Sequence, residues 1–230
     1  MEIHENIEIK DLGLYLVKEK VLIISDTHIG QDEALNKEGI LIPRFGFKDL
    51  KDKLGKVLDL ELNEIVINGD LKHEFGIISN SEWSQTLELL DILEKKCKKI
   101  ILIKGNHDTI LGPIAKRKNL ELKEFYKIGD VLICHGDKII KEDCKVIIIG
   151  HEHPTVGLRE DSRVEVFKCF LKGKWKGKEL IVMPSFNFVT KGSDILREET
   201  LSPYLEDLSN FEVFVVSDKV YDFGKVKELK

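Results

Sequence analysis

Short apolar runs rich in β-branched residues alternate, along the first half of the chain, with longer stretches in which apolar positions recur every three or four residues. Val21–Ser25 reads as a buried strand. Over Asp49–Leu62, the residues Leu50, Leu54, Val57, Leu58 and Leu62 keep a helical period. Glu64–Asn68 reads as the next strand. In Glu82–Lys96, Trp83, Leu87, Leu90 and Leu93 fall near one stripe of a helix, and Lys99–Lys104 reads as a third strand. Strand, helix, strand, helix, strand predicts an α/β sheet built with crossovers.

The second half changes period. Glu121–Ile128 and Val131–His135 read as two strands about a turn at Gly129-Asp130. Val146–Gly150 is a further short strand. Val164–Leu171 and Glu179–Met183 flank Lys172–Lys178, whose Gly173 and Gly177 suit a hairpin turn, and Phe211–Val216 reads as a last strand. Mostly β after mostly βα predicts two mixed sheets packed face to face with helices outside. No repeat or linker divides the chain, so residues 1–230 read as one domain.

Polar residues fall where these runs stop. Asp26 and His28 follow the first strand. Asp70 follows the second, in Asn68-Gly69-Asp70, and Asn106, His107 and Asp108 follow the third. His135 and the pair His151 and His153 follow later strands. The carboxyl ends of strands are where α/β sheets place ligands, so these ends predict one shared crevice. Asp26, His28, Asp70, Asn106, His135, His151 and His153 offer seven side chains, more than one cation needs from protein alone. Two cations sharing a bridging carboxylate would use them. Imidazole, carboxylate and amide donors without thiolate suit manganese, iron, zinc, nickel or cobalt. Two such ions about 3.5–4 Å apart can activate a water and clamp both oxygens of an in-line phosphoryl displacement. Taken singly, each motif has an ordinary reading as a turn, a cap or a core histidine. Their joint order after successive strands carries the metal reading.

Composition bounds the rest. The net charge is −5 and no basic field marks the whole chain as a nucleic-acid binder. Cys97, Cys134, Cys144 and Cys169 are scattered and read as reduced thiols. The apolar runs are too short for a membrane span and the acidic N-terminus lacks a signal-peptide core, so a cytoplasmic protein with no membrane partner is expected. The basic clusters Lys95–Lys99 and Lys116–Lys118 read as solvated faces.

In order, Asp-x-His, Gly-Asp, Gly-Asn-His-Asp, His-Gly and Gly-His-x-His resemble the motifs of calcineurin-like metallophosphoesterases. Ser25–Gly30, Glu38–Pro43, Gly69–His73, Gly150–Pro154 and Met183–Asn187 look like the subgroup of DNA-ligase-associated phosphoesterases, with Gln31 where that subgroup often carries Lys. The resemblance implies a four-layer α-β-β-α sandwich. It implies two divalent ions, Mn²⁺ favoured, with Asp26, His28 and His153 at one, Asn106, His135 and His151 at the other, and Asp70 bridging. It also implies that His107 protonates or stabilises the leaving group while Asp108 orients it.

The implied activity is hydrolysis of a phosphoester, a diester ahead of a monoester. The extended signature of protein Ser/Thr phosphatases is absent from Gly69–Phe75. Nucleic acid or nucleotides are the implied substrates, and a DNA-repair-associated protein partner follows by family analogy only. Alternatives are a phosphomonoesterase acting on a small metabolite and a non-catalytic metal-binding interaction module. Missing ligands would mark the last, and none is missing. His73 either enters the crevice or orders its loop. Arg44, with Arg159 and Arg163, is a candidate contact for substrate phosphate. A homodimer is compatible with the sequence, but no self-complementary patch is legible.

Overall fold

The computed structural model describes residues 1–43, 45–74, 78–108, 111–160, 163–190 and 192–229. The first sheet takes its strands in chain order: β1 (Glu2–His4), β2 (Ile7–Lys10), β3 (Gly13–Leu16), β4 (Val21–Ser25), β5 (Glu64–Asn68), β6 (Lys99–Ile103) and β7 (Glu121–Lys123). β1 to β4 pair antiparallel and β4 to β7 parallel. The parallel strands need crossovers, and α1 (Gln31–Lys37), α2 (Gly46–Val57), α3 (Asn80–Glu94) and α4 (Gly112–Lys118) lie within them. Every residue of β4 is buried, as expected of a strand covered on both faces.

The second sheet uses the rest of the chain: β8 (Phe125–Ile128), β9 (Val131–Cys134), β10 (Val146–Ile149), β11 (Pro154–Glu160), β12 (Arg163–Trp175), β13 (Lys178–Val182), β14 (Ser193–Asp194), β15 (Glu212–Val216) and β16 (Val220–Lys225). Its order is β14-β11-β12-β13-β10-β9-β8, with β15 paired to β12 and β16 to β15. Strand alternation decides what packs where. Ile133, Ile148, Ile181, Phe170 and Phe214 join the core of the first sheet, which cements the two sheets together. Their neighbours Leu132, Ile147, Leu180, Leu171 and Val213 point the other way, into a second core closed by Ile195, Tyr204, Leu205 and Phe211. The two mixed sheets and four helices of the expected α/β sandwich are thus present. Among the described residues all four helices belong to the first sheet's crossovers, and the irregular chain around 195–211 covers the far face of the second.

Three local expectations change. Glu121–Ile128 is two strands in two sheets, because β7 pairs with β6 while β8 pairs with β9. These residues are half-buried or exposed throughout, so no alternation marked the change of sheet. The helix expected over 49–62 runs over Gly46–Val57. Leu58 and Leu62 are buried after its end, which prolongs the apolar period without the helix. The hairpin turn tightens to Lys176-Gly177, both at positive φ, and β12 continues through Gly173 to Trp175. Among the described residues no helix is long and apolar enough to cross a membrane, and the four cysteines are free.

Candidate metal centre

The strand ends are stitched together beyond the sheets. Asp26 N–H donates to Gly69 O at 3.2 Å and His28 N–H to Asp70 O at 2.9 Å, while Gly69 N–H donates to Ile103 O at 3.0 Å. Across the sandwich, Phe186 N–H donates to Ser25 O at 2.7 Å, and within the second sheet Gly150 N–H donates to His135 O at 2.8 Å, just past β10 and β9. Both sheets therefore end at one place. Asp26, His28, Asp70, His151 and His153 all have positive φ, from 42° to 61°. Such backbone costs about 1–3 kcal/mol per non-glycine residue and clusters at functional sites. Here it turns alternate side chains towards a single point.

Asp26 is fully buried. Its Oδ2 accepts from Ser25 Oγ at 2.5 Å and from His151 N–H at 3.1 Å. Its Oδ1 makes no hydrogen bond of good geometry and faces His153 Nε2 at 3.2 Å and His135 Nδ1 at 3.5 Å. Asp70 Oδ1 accepts from His107 N–H at 2.8 Å. Its Oδ2 sits among three imidazoles, 3.5 Å from His135 Nε2, 3.8 Å from His28 Nε2 and 3.9 Å from His107 Nε2. A methyl group on Gly105 would overlap Asp70 Oδ1, and one on Gly150 would overlap Asp26 Oδ2 and Ser25 Oγ. Only glycine lets these strand ends close on the carboxylates.

Donor atoms gather into two groups that share one residue. Asp26, His28, Asp70 and His153 bring ligand atoms within 4.8 Å of one another, and so do Asp70, His135 and His151. Asn106 joins the second, its Oδ1 2.9 Å from His135 Nε2. A third group holds His28, His73 and His107. Burial, and then the charge of Asp26, push the Asp70 carboxyl up to about 9. Burial acts upwards on Asp26 too, but His153, His135 and His28 outweigh it and hold that carboxyl below the ordinary range. Burial pushes His28 well down and His151 to about 4. The imidazole lone pairs of His28 and His151, a carboxylate with an orphaned oxygen and a second carboxyl that resists ionising beside it form a site short of positive charge. Divalent cations fit this donor set.

His73 lies against the candidate ligands, and its backbone is tied into the loop. Its ring meets that of His28 edge-on at 5.5 Å and stacks on that of His107 at 5.5 Å. Its backbone also orders the loop, since its N–H donates to Ile29 O at 3.0 Å and to Glu82 Oε1 at 2.9 Å. The His107 ring is steered by the His73 carbonyl, 2.6 Å from Nδ1. Asp108 accepts three backbone N–H groups, from Gly105 at 3.0 Å, Leu71 at 3.4 Å and Lys72 at 3.5 Å. It ties together the loops that carry Asp70 and Asn106. Arg44 lies outside the described residues. Arg159 and Arg163 lie on the β11–β12 arm.

Three further residues support the site, of which Lys72 and Asn187 lie inside motifs noted in the sequence without a role and Glu82 was not singled out. Lys72 is fully buried, and its ammonium donates to His107 O at 2.8 Å and to Glu74 O. Glu82 is fully buried and accepts from His73 and Glu74 N–H. Its signal was the Ser79-x-x-Glu82 pattern at the start of α3, where Ser79 Oγ accepts from Glu82 N–H at 3.1 Å. Asn187 donates to Thr27 O at 2.7 Å and braces the loop that carries His28.

Comparison with known proteins bears on the family and the fold. No curated protein matches the chain. Among solved structures, the nuclease MPE of Pseudomonas putida is similar over 94% of this chain and 93% of its own, with a TM-score of 0.69 and 18% identity. Yfce, a phosphoesterase from E. coli, is similar over 90% of this chain and 97% of its own, with a TM-score of 0.43 and 13% identity. The family model of calcineurin-like phosphoesterases matches residues 19–174, a span that contains every donor described above. By that match the chain belongs to the calcineurin-like phosphoesterase family.

Proposed function

We propose that the chain hydrolyses phosphodiesters, with nucleic acid as the substrate class, and that residues 1–230 act as one unit. The observation that carries the reading is Asp70, whose carboxylate belongs to both donor groups at once. Asp26, His28 and His153 would hold one divalent ion, Asn106, His135 and His151 the other, and Asp70 would bridge, with Mn²⁺ the favoured ion. Such a pair supplies an activated water and stabilises charge on the phosphoryl oxygens.

The chain's own residues do the rest. Nδ1–H of His107 donates to the His73 carbonyl, which fixes the tautomer and aims Nε2 at the centre. A protonated Nε2 there can give its proton to a departing alkoxide. Lys72 and Asp108 hold the flanking backbone, and the ring of His73 closes one wall. The diester is placed ahead of the monoester on the likeness of the motifs to the DNA-ligase-associated subgroup. That a nuclease is among the fold neighbours is in keeping with it.

The test is a panel run with Mn²⁺: bis-p-nitrophenyl phosphate, p-nitrophenyl phosphate, cyclic nucleotides, single-stranded DNA and RNA. Turnover of the small diester and of an oligonucleotide above that of the monoester is expected. Turnover of monoesters alone would replace the diesterase reading with a phosphatase. Silence throughout with metals bound would leave a binding role.

A further inference from the structure

Beside the metal centre the β11–β12 arm carries a cation that the hydrolytic site does not use. Thr155, two residues past His153, is the cross-strand partner of Lys168. The two side chains therefore stand side by side on one face. The Lys168 ammonium donates to Ser185 Oγ and to Thr190 O at 3.2 Å, and among the described residues it forms no ion pair. A lysine has a third N–H to give. Burial pulls Lys168 down to about 8 against the opposing pull of the Asp26 charge, and Lys53 adds to the fall. Thr155 is 1% exposed and its Oγ1 has no hydrogen-bond partner.

These groups line an open groove of about 320 Å³ shared with Leu12, Lys53, Val166 and Phe188. Phe188 is 50% exposed and Val166 46%, so both present apolar surface to the groove. Lys53 Nζ lies 4.8 Å from the centroid of the Phe188 ring, with its charge matched by Asp11 at 2.5 Å. The groove is joined to the metal centre by the loop after β13. There Asn187 braces Thr27, and Thr190 Oγ1 donates to Gln31 Oε1 at 2.6 Å.

A part-buried ammonium without a counter-ion, beside an unsatisfied hydroxyl, calls for an anion. An exposed ring above an apolar wall calls for a flat apolar body. Phosphate and base satisfy both in one ligand, and an unstacked base on an aromatic ring is how single strands are held. We propose that the groove binds the nucleotide next to the scissile bond of a single-stranded substrate, its phosphate on Lys168 and Thr155 and its base on Phe188. The proposal rests on the nuclease reading above and adds where the strand lies.

The experiment compares kcat/KM for a short single-stranded oligonucleotide with that for bis-p-nitrophenyl phosphate, which has no flanking nucleotide. It uses the Mn²⁺-loaded full chain and the variants Lys168→Met and Phe188→Ala. The ratio of the two constants is expected to fall about tenfold in each variant through a higher KM for the oligonucleotide. In Lys168→Met the salt dependence of oligonucleotide binding should also lose about one unit of slope. An unchanged ratio in both variants overturns the proposal, as does an equal loss on both substrates. Phe188 is at the surface, so its variant stays informative if Lys168→Met fails to fold. A wild-type chain that cleaves the small diester but neither binds nor cleaves the oligonucleotide defeats the nuclease reading itself, a result separable from any variant.

Discussion

His107 Nδ1 lies 2.6 Å from the carbonyl oxygen of His73, while His107 Nε2 lies 3.9 Å from Asp70 Oδ2. One ring nitrogen is committed to the backbone and the other faces the carboxylate shared by both donor groups. His107→Ala is therefore expected to keep both metals and lose 10²–10⁴-fold, as an order of magnitude, in turnover. The loss should be larger with an oligonucleotide than with bis-p-nitrophenyl phosphate, since p-nitrophenolate leaves without a proton. Undiminished turnover of the oligonucleotide would remove His107 from the acid's role.

Asp70→Asn should weaken both ion sites together, because one carboxylate belongs to both donor groups. Metal analysis after dialysis checks this. A variant that still carries two tightly held ions would show that Asp70 does not bridge.

Metal uptake should be linked to pH through Asp70. Its carboxyl is raised from 3.8 to about 9 in the folded, metal-free chain. The folded state thus holds a proton near neutral pH that the unfolded chain has already lost. The stabilisation from that proton is full below 3.8 and is lost as pH rises through about 9. Cations need the carboxylate, so their binding expels the proton and their apparent affinity should rise with pH over this window. Calorimetric titration in buffers of different ionisation enthalpy should read a release of about one proton. A release of zero would contradict the assignment.

Glu82→Ala should loosen the His73 loop without touching a ligand. It removes an acceptor shared by two part-buried N–H groups, His73 at 2.9 Å and Glu74 at 3.0 Å. A loss of about 2–3 kcal/mol in denaturant unfolding is expected. A larger fall in turnover than in metal content should accompany it, because the His73 carbonyl steers His107. Wild-type turnover in a destabilised variant would show that the loop's order does not matter to His107.

What the chain alone determined is chemical identity at strand ends. A five-residue run such as Val21–Ser25 has one stable environment, a strand covered on both faces, and the residues just after it must lie at a sheet end. Asp26, His28, Asp70, Asn106, His135, His151 and His153 were legible for that reason. Their residue types and the local period of the preceding run are both short-range properties.

The tertiary structure decided everything that depends on register or on which loop meets which. The change of sheet at Glu124 left no mark in the local period, because both flanking strands are half-exposed. Asp108 ties backbone across two strand ends, since the loop of Leu71 and Lys72 reaches its carboxylate from another strand end. Nothing in the local pattern shows that Lys72 and Glu82 are buried, because it is the fold that surrounds them with carbonyls and N–H groups. The facing of Thr155 and Lys168 depends on the register of β11 and β12, where a slip of one residue would turn one of the pair to the other side.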